Sequence, residues 1–581
     1  MTTRDKVLVI GDDTRSFLST VRSLGRQGIE VHVAPFDFRS PALASRYIHA
    51  THFLPYYLDG GCDWRDAIVA LLREQRFALV IPCDERGLLP LCLHRDELAS
   101  LAALAIPSPQ ALEIYFDKVR TRELAASCGV AVAPGRMLVP DDDADSIVRD
   151  IGLPVVVKEP MSYALPELYV RTSTRIIASR EALGAWLAQR GSESGPILLE
   201  SMFPGFGLGV SVLSHQGEVL QAFEHHRAHE MSGSSYYRKS APLDPARLDA
   251  VSRMVRASAY TGLAMFEFKV DPATGGWILI EVNARPWGSL PLPVSLGIDF
   301  PFRLYRLLAR REPTPPVPYP EERYCRNLVL DMWQARAGAA RLVGQPGKLL
   351  AHCASWAWSF HRVLIGRERH DALVLDDPRP GLAELRTLFS GRLRVLRERV
   401  GAKAPAARLQ RRLAALNAQS SGRSVDVLFV CQGNINRSSY AELKARQLFG
   451  ARPFRFSSAG MLPRNQRGSP ALAIAVAARH GVDMSAHRSR HASVSLLESA
   501  DLVIAFDRIN LDSIAARYPG MQDRVFLLGE AVDCADIQIA DPEGRDETTF
   551  DATYRRIDTC LEALAAVAPE QAELTEKPSQ C

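Results

Sequence analysis

The chain has 581 residues, 47% of them hydrophobic and 23% charged, with a formal net charge of +4. That length calls for two or more separately packed cores, and that balance excludes a disordered or fibrous chain. The small net charge, with no long run of Lys or Arg, argues against a protein that tracks a phosphate backbone, so no nucleic-acid partner is expected.

Ten cysteines without a CxxC pair, in a chain large enough to need no disulfide staples, point to reduced thiols and a cytoplasmic setting. The first apolar stretch, residues 7–10, is cut short by Gly11, Asp12 and Asp13 and does not make a signal peptide. It predicts a strand ending in glycine, then a helix over 14–28 and a second strand at 31–34, which is a βαβ start. Another strand is expected at 78–82. The residues that follow it, Cys83, Asp84 and Glu85, then stand at the carboxyl edge of a parallel sheet, where ligands bind in open α/β layers. The absence of GxGxxG in this part excludes a dinucleotide fingerprint.

From about residue 117 strands and helices alternate. Lys118 opens a helical stretch and Lys158 closes an apolar strand, positions from which a lysine meets phosphate oxygens or, more plainly, snorkels to water. Residues 262–269 and 277–285 read as hairpin strands joined through Asp271-Pro-Ala-Thr-Gly-Gly. Alternation puts Glu281, Asn283 and Arg285 on one face, with Glu267 on the neighbouring strand. Two carboxylates and an amide are hard ligands for Mg2+, and an arginine beside them suits a carboxylate or phosphate. This order, with a hinge at Leu198-Leu-Glu-Ser-Met-Phe-Pro-Gly, resembles the ATP-grasp superfamily, especially its carbamoyl-phosphate-synthase-like members. The resemblance covers roughly residues 1–310. It implies a pre-ATP-grasp Rossmann-like layer at 1–110 and an ATP-grasp fold at 111–312, with ATP between two α+β subdomains. By the same resemblance Lys118 and Lys158 meet the phosphates, Glu200 or nearby backbone the adenosine, and Glu267, Glu281 and Asn283 the Mg2+. Arg285 would steady an acyl phosphate or its precursor. Two departures stand out: the stretch after Lys158 lacks the glycine-rich phosphate lid, and Ser201 stands where an acidic hinge residue is frequent. The cluster His225-His226-Arg227 and His229-Glu230, followed by Ser232-Gly-Ser-Ser, reads as an exposed loop that contacts phosphate or an acceptor rather than as a zinc site.

The proline-rich stretch 310–320 marks an exit from a compact unit, and 313–424 is expected to be a helical extension and linker, with the linker at 401–424. Its most apolar part, residues 349–366, holds two histidines and an arginine, so a packed helix is expected there rather than a membrane span.

Val425-Asp-Val-Leu-Phe-Val-Cys-Gln-Gly-Asn-Ile-Asn-Arg-Ser-Ser runs a buried-strand pattern into a turn that sets Cys431 and Arg437 six positions apart, ahead of a helix. A loop of that length wraps a tetrahedral anion, aiming backbone N–H groups and a helix N-terminus at its oxygens and favouring a thiolate nucleophile. Arg437 can grip two oxygens as a fork. Asp541, in Ala-Asp-Pro, is the candidate proton donor for the leaving oxygen, and Pro542 stiffens its loop. Together with Ser457-Ser458-Ala459-Gly460, His487-Arg488-Ser489-Arg490 and Ala500-Asp501-Leu502-Val503-Ile504, these residues strongly resemble the low-molecular-weight protein tyrosine phosphatases, a family that includes related arsenate reductases. The resemblance covers nearly all of 425–566, leaving 567–581 as a polar tail. It implies a flavodoxin-like domain with a parallel sheet and a cysteinyl-phosphate formed on Cys431. Gly433 and Asn434 would shape the phosphate loop, and Ser438 would hydrogen-bond the thiolate. The loop lacks the family's second cysteine, and Glu543-Gly544-Arg545 replaces the aromatics that usually follow the Asp-Pro pair.

The expected protein is therefore a multidomain chain of α/β and α+β parts with two activities. One is an ATP- and Mg2+-dependent, carboxylate–amine ligase-like activity on small molecules. The other is hydrolysis of a phosphorylated protein or small molecule without a cofactor. An alternative, prompted by the missing lid glycines, makes the ATP-grasp part a nucleotide-binding regulator that does not turn over. A third, arsenate reduction at Cys431, requires Cys534 or Cys560 close by.

Overall fold

The structure, a computed structural model, describes residues 4–163, 165, 168–172, 174–190, 195–231, 234–388, 408–419, 423–534 and 536–568. The chain divides into two compact units, an N-terminal one of residues 1–36 and 40–389 and a C-terminal one of residues 390–581 with 37–39.

The N-terminal unit opens with a parallel sheet of β1 (Lys6–Ile10), β2 (Glu30–Ala34), β3 (Ile48–Thr51), β4 (Leu79–Pro82) and β5 (Ala103–Leu104), in the order β3-β2-β1-β4-β5. Val7, Leu8, Val9 and Ile10 are all buried, as a strand covered on both faces requires. The helix Ser16–Arg26 follows β1, and the Asp13 carboxylate accepts from the Ser16 N–H at 2.6 Å at its start. A small antiparallel sheet comes next, built from β6 (Gly135–Met137), β7 (Val155–Lys158), β8 (Arg175–Ile177) and β9 (Leu198–Ser201), in the order β6-β9-β7-β8.

The largest sheet contains β10 (Phe206–His215), β11 (Glu218–Met231), β12 (Ser234–Ala241), β13 (Gly262–Val270), β14 (Trp277–Asn283), β15 (Tyr324–Arg326) and β16 (Glu368–His370), in the order β14-β13-β10-β11-β12-β15-β16. Its last two strands amend the reading of 313–424. The chain does not leave the unit at the prolines, because β15 and β16 extend the sheet and bring buried charge with them. Arg326 donates from Nε to Glu368 at 2.7 Å and from Nη1 to Asp331 at 2.8 Å. Arg238 meets Asp371 in the interior. Arg22 donates to Asp377 at 2.9 Å and to the carbonyls of Asp371, Ala372 and Asp377. Helical periodicity carries no sign of such pairings, which join residues far apart in the chain.

Three further expectations are corrected. Residues 225–230 are not an exposed loop but lie inside β11, where His225 is buried between β10 and β12. The apolar helix Pro346–Ser359 is not packed: none of its residues is buried, and it touches the helix Leu328–Arg341 only along one side. Within the expected linker, Arg408–Gln419 is a helix whose Leu409 and Leu413 are buried in the C-terminal core. Residues 232–233, 401–407, 420–422 and the tail from 569 lie outside the described residues. Among the described residues no helix is long and apolar enough to cross a membrane.

The C-terminal unit is a parallel sheet of β17 (Val425–Cys431), β18 (Phe454–Gly460), β19 (Leu502–Ala505) and β20 (Val525–Leu527), in the order β18-β17-β19-β20. Central β17 delivers Cys431 at its carboxyl end, directly before the helix Arg437–Phe449. Tyr440 on that helix stacks on Tyr554 of the helix Glu547–Ala566 at 3.9 Å between ring centroids, closing one face of the core.

Breaking the Arg22 pair strands a buried guanidinium. Asp377→Ala is expected to lower the stability of the N-terminal unit by about 3–5 kcal/mol, measured by urea denaturation followed through tryptophan fluorescence.

Candidate functional site

In the C-terminal unit the loop after β17 closes on itself around Cys431. The thiol is buried, with Ser438 Oγ at 3.0 Å and the Asn434 N–H donating to Sγ at 3.3 Å. Asn434 adopts φ 53°, a left-handed turn that asparagine tolerates better than most residues. Its amide donates to Ser438 Oγ at 2.9 Å and to Ser458 Oγ at 2.8 Å, and its carbonyl oxygen Oδ1 accepts from the Arg490 N–H at 2.9 Å. The Asn434 backbone carbonyl lies 2.7 Å from His487 Nε2. Segments 457–460 and 487–490 thus hold the loop that carries Cys431. Ser438 Oγ accepts from Asn434, and its own proton has two acceptors within reach, the sulfur at 3.0 Å and the Ala459 carbonyl at 3.3 Å. Gly433 lies in the same turn, with Gly460 so near that a Cβ there would stand 3.0 Å from the Gly433 carbonyl carbon.

Arg437 is 1% exposed. It donates from Nη1 to Asp507 at 2.7 Å and to the Ile539 carbonyl at 2.8 Å, and from Nη2 to Asp541 at 2.7 Å. The structure therefore brings Cys431, Gly433, Asn434, Arg437, Ser438 and Asp541 to one loop cluster. Asp507 escaped the sequence reading; its only signal was its place after a short apolar strand, where it also caps the helix Arg508–Arg517. Glu543 donates no aromatic surface to the rim and instead accepts from Asn436 Nδ2 at 2.7 Å. Cys534 lies beside Arg556 on the helix Glu547–Ala566, where its thiol meets the Asp536 carbonyl at 3.0 Å, and Cys560 is buried on the same helix.

In the N-terminal unit a cavity of about 330 Å3 is lined by Lys118, Glu281, Asn283 and Arg285, together with Glu85, Tyr163 and Arg171. Asp117 caps the helix Lys118–Ser127, accepting from the Val119 N–H at 2.7 Å. Lys118 Nζ donates to the Glu159 carbonyl and to Ser162 Oγ, both at 3.0 Å, and burial pushes its pKa down while Glu281 draws it back up. A bulge between β13 and β14 sets Glu267 opposite Glu281; without the extra residue, Ile280 would stand there. Asn283 lies 3.1 Å from Glu267 and 3.4 Å from Glu281. Burial pushes the Glu267 carboxyl up to about 7, Arg227 pulling it down and Glu281 adding to the rise. Two facing carboxylates that resist joint ionisation, with an amide between them, form a donor set that fits a hard divalent cation.

Lys158 and Glu200 do not line this cavity, although Lys158 is near enough to Lys118 to lower its pKa. Lys158 Nζ lies 2.5 Å from Glu200, which is buried and also holds Arg122, so Glu200 is engaged by two cations. Arg285 donates to Glu85 at 2.9 Å. Glu85 was legible as part of the carboxyl edge of β4, and Arg227, paired with Glu267, as part of the histidine cluster. Nothing in the sequence singled out Arg171 or Tyr163.

The sequence profile of the low molecular weight phosphotyrosine protein phosphatases matches residues 426–579. The probable low molecular weight protein-tyrosine-phosphatase EpsP of Ralstonia nicotianae is 34% identical over 139 residues, which make up 24% of this chain and 91% of that protein. The C-terminal unit belongs to this family. Likenesses outside the phosphatase unit are more distant. A putative urea carboxylase of Emericella nidulans is 26% identical over 205 residues, 33% of this chain; the match spans only 16% of that protein's length. Among solved structures, N5-carboxyaminoimidazole synthetase from Staphylococcus aureus, complexed with ADP, matches with a TM-score of 0.43 and 15% identity over 55% of this chain and 81% of that one.

Asn434→Ala would leave Ser438, Ser458 and the Arg490 N–H short of a partner. It is expected to destabilise the phosphatase unit by about 1–3 kcal/mol, seen as a lower urea midpoint. Asn434→Gly, which keeps the left-handed turn without the amide, is expected not to restore it.

Proposed function

We propose that the phosphatase unit hydrolyses phosphomonoesters through a cysteinyl-phosphate, with Cys431, Arg437 and Asp541 as its catalytic residues. The observation that carries this reading is one guanidinium, Arg437, spanning to Asp541 beside a thiol that receives a backbone N–H and faces Ser438. The Cys431 thiolate attacks phosphorus, forming an S–P bond as the P–O bond to the leaving group breaks. Asp541 gives its proton to the departing oxygen. Water, deprotonated by Asp541, then attacks the same phosphorus and releases phosphate and the thiolate. Arg437 and the loop N–H groups, with Gly433 and Asn434, hold the equatorial oxygens while charge builds on them.

For the ATP-grasp unit we propose ATP-dependent activation of a small-molecule carboxylate and its transfer to an amine. ADP-bound solved relatives support the nucleotide assignment. Glu267, Glu281 and Asn283 would hold Mg2+, which when bound offsets the charge of the triphosphate. Lys118 reaches the phosphates from the cavity wall, and Arg285, held by Glu85, orients the carboxylate. Lys158 and Glu200 belong to the nucleotide side of the site, and their mutual pairing favours a second reading, in which the unit binds nucleotide without turning it over and regulates the phosphatase. Free thiols at all nine described cysteines support a cytoplasmic setting.

With p-nitrophenyl phosphate, Cys431→Ser is expected to abolish turnover and Asp541→Asn to slow it by about 10^2- to 10^4-fold. A Cys431→Ser protein that retains full activity overturns the phosphatase mechanism. For the ligase, Mg·ATP-dependent ADP release is measured in the Cys431→Ser background against a mixed amino-acid and carboxylate library. Release that needs both Glu281 and an added acceptor is expected; bound ATP with no release across the library leaves the regulatory reading.

A further inference from the structure

The helix Pro346–Ser359 is anomalous for a globular unit. Leu350, Ala354, Ala357 and Trp358 recur at helical spacing on the side turned away from its neighbour, and all four are exposed. Leu350 and Trp358 are each 72% exposed, and just beyond the helix Leu364 is 88% exposed and Ile365 58%. The opposite side is the one that packs. His352 meets the Ala335 carbonyl at 2.9 Å, a Cβ at Gly338 would stand 2.8 Å from the His352 ring, and Trp356 donates to Asp331 at 2.7 Å. The helix therefore touches its neighbour through His352 and Trp356, and leaves Leu350, Ala354, Ala357 and Trp358 turned outward.

Apart from Asp331, which Trp356 meets on the inward side, the charge along this stretch has one sign. Residues 332–367 contain no Asp or Glu, whereas Arg336, Arg341, Lys348, Arg362 and Arg367 are all cations. Arg341, Lys348 and Arg367 are exposed and stand at the two ends of the apolar stretch. An acid-free cationic rim around exposed Trp, Leu and Ile is complementary to a surface that is anionic outside and apolar within.

We infer that this helix is a docking surface for an anionic lipid bilayer. Trp358, Leu350, Leu364 and Ile365 enter the headgroup–acyl boundary, and Arg341, Lys348 and Arg367 lie against the lipid phosphates. No helix among the described residues is long and apolar enough to span the bilayer; this helix lies in its plane and tethers the chain reversibly. The inference is independent of which reaction either unit catalyses.

The test is co-sedimentation of the full chain with vesicles of phosphatidylcholine alone or mixed with phosphatidylglycerol, with light scattering of the chain without lipid as its companion. Binding to the anionic vesicles, weakened by added salt, is expected. The double variant Leu350→Asp, Trp358→Asp is expected to lower the partition constant by about tenfold or more. Lys348→Glu with Arg367→Glu, which leaves the apolar side intact, is expected to remove the preference for the anionic lipid. An unchanged urea midpoint of the N-terminal unit in both variants shows that they are folded. Failure of the wild-type chain to sediment with either vesicle overturns the inference. So does a dimer in light scattering that the Leu350→Asp, Trp358→Asp variant dissolves, because a second copy is then the occupant.

Discussion

A guanidinium taken out of water has to be met by carboxylates and carbonyls, and both units are organised around that constraint. Arg437 sits between Asp507, the Ile539 carbonyl and Asp541, which draws the strand-end loops of the C-terminal sheet toward the thiol. In the N-terminal unit Arg22, Arg238 and Arg326 are buried with Asp377, Asp371, Glu368 and Asp331, and these pairs tie residues 324–377 to the opening α/β layer and the large sheet. Removing either partner would leave an uncompensated charge, so these segments form together or not at all.

The same rule distinguishes the two candidate sites. In the phosphatase unit the cation is fixed beside Cys431, between the carboxylates of Asp507 and Asp541. In the N-terminal unit Glu267 faces Glu281 and pairs with Arg227, and burial still pushes its carboxyl up to about 7. The proposed functions give the first site an anion to receive and the second a cation with its anionic companion. Lys118 and Arg171 on the cavity wall continue that logic, since they supply positive charge next to the carboxylates.

Much of the C-terminal unit was legible because its chemistry is local. Seven consecutive positions, from Cys431 to Arg437, carry nucleophile, turn and cation, and the strand before them is continuously apolar. Asp507 was invisible because its role depends on which strand ends lie beside β17. In the N-terminal unit alternation along 262–285 was enough to put Glu281 and Asn283 on one face, yet Lys158 and Glu200 could not be seen as partners, because β7 and β9 are 40 residues apart and pair only in the folded sheet.

The sequence by itself determined the parallel layers that open each unit and the close grouping of Cys431, Asn434 and Arg437 after a buried strand, because strand burial and short-range spacing are written in neighbouring residues. Tertiary structure alone decided the bulge that sets Glu267 against Glu281, the joining of 324–370 to the large sheet, the placement of the histidine cluster inside β11 and the exposure of the apolar helix Pro346–Ser359. Each of these turns on a partner distant in the chain, and periodicity reports which residues seek burial or pairing but not what they meet.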